Sequence, residues 1–91
     1  MSRLFWVDMA EYARDTAIEY IARDNLRAAL DQFDEIDKQT MRLLKHPGLG
    51  RPGRVKGTRE LSITRTSFVV TYRIIGENVQ ILRFRHTSQK R

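Results

Sequence analysis

Leu4-Phe5-Trp6-Val7 places four apolar residues in a row near the start of the chain. The run is aromatic and β-branched and predicts a short strand. Asp8 follows, with Glu11 three residues on, a carboxylate variant of the capping box that puts a helix start near Met9. Ala13, Ala17, Tyr20 and Ile21 then recur at helical spacing while Glu11, Asp15 and Glu19 line another face, and Arg23-Asp24-Asn25 closes the run. Asp24 or Asn25 is placed to cap a second helix. Its apolar stripe, Leu26, Ala29, Leu30, Phe33, Ile36, Leu43 and Leu44, continues for about five turns until His46-Pro47-Gly48 breaks it. Two helices joined this tightly form an antiparallel αα-hairpin, and its apolar stripes need a sheet to cover.

The stretch 47–57 holds four of the five glycines and both prolines. It reads as one long loop, neither helix nor central strand. Beyond it Glu60-Leu61-Ser62-Ile63 alternates, Phe68 to Ile75 is rich in β-branched residues, and Val79 to Phe84 repeats the strand signal, with Gly76-Glu77-Asn78 as the turn between the last two. Apolar residues on both faces of those last two strands make them central, with the N-terminal strand pairing alongside. The predicted class is α+β: a strand, a helix hairpin, then a three-stranded antiparallel segment in one sheet, all within a single domain, since 91 residues support one thin core.

Composition narrows the setting. Cysteine is absent, which removes disulfides and thiolate metal sites and agrees with a reducing cytosol. The opening apolar run is too short for a signal peptide and no stretch is long enough for a membrane span, so the expectation is a cytoplasmic protein without membrane association. Charge is sharply divided. Residues 1–41 carry 5 Lys/Arg against 9 Asp/Glu, while residues 42–91 carry 12 Lys/Arg against only Glu60 and Glu77, a net of −4 followed by +10. Such a division marks a footprint for a polyanion or an acidic partner segment, or a solvated basic surface.

Arg42, Lys45, Arg51, Arg54, Lys56 and Arg59 follow one another without an intervening acid. In a Gly-rich loop such residues can track phosphates, although Arg42 and Lys45 also suit a helix C-terminus for dipole reasons. Arg83 and Arg85 share one strand face by the period of two, with Leu82, Phe84 and His86 on the other. Arg65 lies in the turn before the long strand, and Arg73 shares that strand's Val69/Thr71 face. Convergent, these arginines would bind RNA phosphates or an acidic tail; dispersed, they would merely keep strand faces solvated. His86 is the one side chain suited to acid–base work near neutral pH, and a strand-end histidine serves as often in packing. His46, before Pro47, reads as loop architecture. The two histidines make no metal site, and neither a phosphate-cradling glycine motif nor a nucleophile–base grouping is present, so no cofactor is expected.

Taken in order, the opening strand, AEYARDTAIEYIARDNLRAAL, HPGLGRPGRVKGTREL, FVVTYRI and VQILRFRH resemble the RelE/ParE toxins over nearly the whole chain. The resemblance implies a helix hairpin on a curved antiparallel sheet. It also implies a cognate antitoxin that wraps the toxin in a hetero-oligomer and suppresses it. RelE-like members cleave mRNA on the ribosome with a basic cluster, an Arg on the long strand and a terminal His or Tyr. Here the arginine position falls on Val69, while His86 matches the terminal histidine, which would act as acid or base with Arg59, Arg65 or Arg83 at the phosphate. The helix text and the GRPGRV.GTREL loop look more like ParE members, which poison DNA gyrase. That side is expected, with Arg51, Arg54, Lys56, Arg59, Arg65, Arg73, Arg83 and Arg85 as the surface for target or antitoxin. The final Gln89-Lys90-Arg91 differs from the aromatic or proline ending of many relatives. A plain nucleic-acid-binding module is the remaining reading.

Overall fold

The computed structural model describes residues 1–88, so the terminal Gln89-Lys90-Arg91 lies outside the described residues. β1 is Leu4–Trp6, α1 Asp8–Asp24, α2 Leu26–Met41, β2 Arg51–Pro52, β3 Arg59–Ile63, β4 Phe68–Ile75 and β5 Asn78–His86. The sheet order is β1-β5-β4-β3-β2. β1 runs parallel to β5, and every other pair is antiparallel. The α+β class, the hairpin and the central position of the last two strands are as the sequence predicts. The sheet is mixed and five-stranded, with one strand more than expected.

That extra strand and a single 3-10 turn, Pro47–Leu49, interrupt the stretch read as irregular loop. Pro47 suits the first position of the turn because its missing N–H is an orphan donor there, and Pro52 is tolerated because β2 is an edge. Helix boundaries also shift slightly. Asp8 is the first helical residue and not the cap; Val7 occupies the cap, without a side-chain hydrogen bond. Asp8 and Glu11 still favour this end by placing negative charge in the first turn. Asn25 is the only residue between the helices, and its Oδ1 accepts from the Ala28 N–H at 3.0 Å. α2 gives way to a 3-10 turn over Arg42–Leu44.

The hairpin lies on one sheet face only. Phe68, Val70, Tyr72, Val79, Ile81 and Phe84 point toward it and meet Ala10, Ile36 and Leu43. The Phe68 and Phe84 rings stand 4.7 Å apart, and truncating either ring would cost about 3–5 kcal/mol. The buried stripe of α2 is narrower than its apolar pattern, comprising Ala29, Ile36, Gln39 and Thr40. Leu26, Leu30 and Phe33 remain on the outside, as does Tyr20 of α1, because two helices side by side cover the sheet and leave their outer flanks to solvent. Among the described residues, no helix is long and apolar enough to cross a membrane.

Candidate functional site

A strand buries alternate residues, so the core residues of β4 and β5 leave a second set facing away from the helices. Val69, Thr71 and Arg73 pair with Arg85, Arg83 and Gln80, and Thr71 and Val69 pair on the other side with Glu60 and Ser62. The outer face therefore gathers Arg83 and Arg85 around one carboxylate, that of Glu60, with Arg73 two residues beyond Thr71 on β4. Glu60 is only 6% exposed and Arg85 only 8%, at 3.6 Å, while Arg51 approaches the same Oε1 at 3.7 Å from the edge. Burial of both partners makes the Glu60–Arg85 pair costly to break, since the survivor would remain charged and desolvated. Glu60 was legible as the one acid within a long basic stretch, but sequence reasoning passed over it.

The loop 53–58 folds onto this face. Thr58 donates from its hydroxyl to the Val55 carbonyl at 2.6 Å and from its N–H at 3.0 Å, closing a turn in which Gly57 has φ +86. A recess of about 240 Å³ results, lined by Arg54, Val55, Thr58, Glu60, Thr71 and Arg83. A neighbouring recess of about 270 Å³ is lined by Gly57, Thr58, Arg59 and Arg73 among others. Arg54, Lys56 and Arg83 are exposed, and among the described residues none of them is committed to a hydrogen bond or ion pair. Arg73 donates from Nε to Gln80 Oε1 at 2.7 Å.

Two further arginines are held in place by the fold. Arg59 donates from Nη1 to the Gly50 carbonyl at 2.7 Å. Beside it the buried Tyr72 hydroxyl accepts from the Gly50 N–H at 2.9 Å and donates to the Pro47 carbonyl at 2.6 Å. Burial raises the Tyr72 pKa above the ordinary 10.0, outweighing the Gly50 hydrogen bond and the Arg59 charge, which lower it. Gly50 is needed for this approach, because a Cβ there would stand 2.7 Å from the Glu60 carbonyl oxygen and 2.8 Å from the Tyr72 ring. Arg65 sits in the β3–β4 turn with φ 64 and reaches both Glu35 oxygens, at 3.1 and 3.2 Å. That fork and a hydrogen bond from Gln39 hold the Glu35 pKa at about 2. Gln39 also pairs with Thr64 through both amide atoms, which clamps the turn to α2.

His86 lies on the helix side, opposite Phe68 on β4 and edge-on to its ring at 5.8 Å, with Ser88 Oγ 2.7 Å from Nδ1. It borders a groove of about 700 Å³ between α1 and the adjoining ends of β4 and β5, lined by Tyr12, Thr16, Tyr20, Phe68 and Phe84 among others. Tyr12 and Tyr20 are 74% and 69% exposed, so their rings form walls rather than core. The sequence reading placed Tyr20 inside and did not weigh Tyr12; their i, i+8 spacing with Thr16 between was the available signal. Thus Arg51, Arg54, Lys56, Arg73, Arg83 and Arg85 gather on or beside the outer face, Arg59 borders the second recess while bound to the Gly50 carbonyl, and Arg65 and His86 do not join them. Val69 is buried on that face between Ser62 and Arg85.

A family model described as the ParE toxin of the type II toxin–antitoxin system parDE matches residues 4–91. The chain is 34% identical over 88 residues to the protein named "Putative toxin Y4kP" of Sinorhizobium fredii, covering 97% of this chain and 91% of that one. It is also similar to a solved structure titled as the chromosomal ParDE TA system from P. aeruginosa. That match has a TM-score of 0.82 and 29% identity, and covers 94% of this chain and 96% of the other.

Proposed function

The chain belongs to the ParE toxin family of type II toxin–antitoxin systems, and from that premise we propose that it inhibits DNA gyrase in the cytoplasm as a binding protein, and that a cognate antitoxin silences it. The observation that carries the reading against mRNA cleavage is dispersal. A ribonuclease needs its acid or base and its phosphate-stabilising cations around one scissile bond. Here His86 is on the helix side of the sheet, Arg83 on the other, Arg59 serves the Gly50 carbonyl and Arg65 serves Glu35. The position where the resemblance expects arginine is the buried aliphatic Val69.

The antitoxin reading draws support from the groove beside α1. Its aromatic walls and apolar floor fit an amphipathic segment laid along them, a recurring mode of peptide capture. A partner that fills it would also cover His86. Inducing the chain in cells, with purified gyrase assayed for supercoiling and ribosome-bound mRNA mapped for cuts, tests the proposal. The expected result is lost supercoiling, intact mRNA, and toxicity unchanged by His86→Ala but relieved by the antitoxin. Cuts in ribosome-bound mRNA that disappear in His86→Ala would overturn it.

A further inference from the structure

We infer that the outer sheet face is a binding surface for the phosphodiester backbone of a nucleic acid, with Arg54 and Arg83 at one recess and Arg73 at the next. The inference rests on the gyrase reading only for its choice of DNA as the first probe.

Charge comes first. Arg51, Arg54, Lys56, Arg73 and Arg83 are all exposed on or beside this face. The single acid at its outward strand positions is Glu60, buried and ion-paired to Arg85 and Arg51. The field presented to solvent is therefore cationic and almost undiluted, which favours a polyanion. Spacing comes second. Arg83 pairs with Thr71, and Arg73 lies two residues further along β4, so about 7 Å along the strand and one strand spacing of about 4.8 Å put the two Cα positions roughly 8 Å apart, a gap their long side chains can narrow or widen. Two successive phosphates of one strand can occupy sites so separated. Each recess combines guanidinium groups with Thr58 at its wall, and Arg54 and Arg83 spend no donor elsewhere among the described residues. Guanidinium forks match phosphate oxygens.

An acidic peptide is the competing occupant, and the division of surfaces argues against it. Peptides gain affinity by burying apolar side chains, and the apolar groove lies on the opposite side of the sheet, between Tyr12, Tyr20, Phe68 and Phe84. The outer face offers chiefly charge and hydroxyls, with Val55, Ile75 and Phe5 as separate apolar side chains rather than a groove.

The test is fluorescence anisotropy of the full chain with a short DNA duplex, and with single-stranded RNA of matching length, across about 50–200 mM salt. Removing one cation that neutralises a phosphate lowers the salt slope by about 1, so Arg54→Gln/Arg83→Gln should lower it by about 2 and weaken binding at low salt at least tenfold. Arg23→Gln/Arg27→Gln, on the hairpin, should leave it unchanged. Since the two recess arginines hold no internal partner among the described residues, thermal melts of the first double variant should match the parent. Tighter binding of DNA or of RNA identifies the source of the backbone, and either supports the site. An unchanged slope in Arg54→Gln/Arg83→Gln overturns it, as does a variant that loses affinity for an acidic antitoxin peptide but for neither nucleic acid. Nucleic-acid binding with the expected slope and undisturbed supercoiling keeps this site and sinks the gyrase reading; gyrase inhibition with a flat slope does the reverse.

Discussion

Replacing Tyr72 with phenylalanine removes one oxygen atom at the root of the basic loop. Tyr72 is fully buried, and that oxygen accepts from the Gly50 N–H and donates to the Pro47 carbonyl. Gly50 is itself buried, so its N–H is left without a partner and with no water to replace it, a cost of about 1–3 kcal/mol. Pro47 is half-buried and recovers part of its bond from solvent, leaving roughly 0.5–1 kcal/mol. Together the two losses come to about 1.5–4 kcal/mol, and at about 4–8 °C per kcal/mol for a domain of this size Tm should fall by roughly 6–30 °C. Urea unfolding at neutral pH measures the first figure. The pH dependence supplies an independent check. Because burial raises the Tyr72 pKa above 10.0, the native state holds this proton more tightly than the unfolded chain. The contribution of the phenol is complete below about pH 10 and is lost as pH rises through the raised native value. The advantage of the parent over Tyr72→Phe should therefore shrink in alkali. A neutral-pH loss below about 0.5 kcal/mol, or a difference that stays constant above pH 10, would refute the account of Tyr72 as the loop's buried anchor.

Other consequences follow from the ion pairs. Glu35 is held at about 2 against an ordinary 4.5, chiefly by Arg65 and then Gln39. Its contribution is present above pH 4.5 and is lost as pH falls toward 2. Urea midpoints taken between neutrality and about pH 3 should decline more for the parent than for Arg65→Gln, and parallel declines would count against the fork. Glu60→Gln leaves Arg85 charged and buried, so it should destabilise by about 3 kcal/mol or more. In a double-mutant cycle with Arg85→Met the two losses should be clearly less than additive. Strict additivity would show that the pair is not coupled.

Where side chains repeat with a period, the chain could be read directly. The hairpin, the strand order of the second half and the shared outward face of Thr71 and Arg73 all follow from spacing. What could not be read depends on interactions between distant residues. Leu26, Leu30 and Phe33 have the spacing of a buried stripe, but burial on α2 is decided by how closely α1 lies beside it. The Pro/Gly-rich stretch looked irregular because its order comes from Tyr72 and Arg59, the former 25 residues away from the Pro47 carbonyl it binds. Arg65 and Arg83 carry the same charge in the sequence. Only the placement of Glu35 on another element separates an arginine that fastens a turn from one that, among the described residues, holds no ion pair.

The outer face depends on one residue of β5 whose role the period of two concealed. Tyr72 pairs with Ile81, yet the preceding Thr71 pairs with Arg83, so Leu82 is a bulge with no partner of its own on β4. Val79 and Ile81 point to the helices before it, and Phe84 does so after it. In an unbroken strand the alternation would carry Arg83 and Arg85 to the inward side and turn Phe84 out, which would exchange a phenyl ring for two guanidinium groups in the core. Such an arrangement is prohibitive when an isolated charge is buried. The bulge is therefore what permits one strand to finish the core and to arm the opposite face. The step from a spacing of two, between Val79 and Ile81, to three, between Ile81 and Phe84, is its signature in the sequence. That signature is visible in the chain, but the same residues are also consistent with a strand buried on both faces. Only the pairing register decides between them, because it shows which residue is left over.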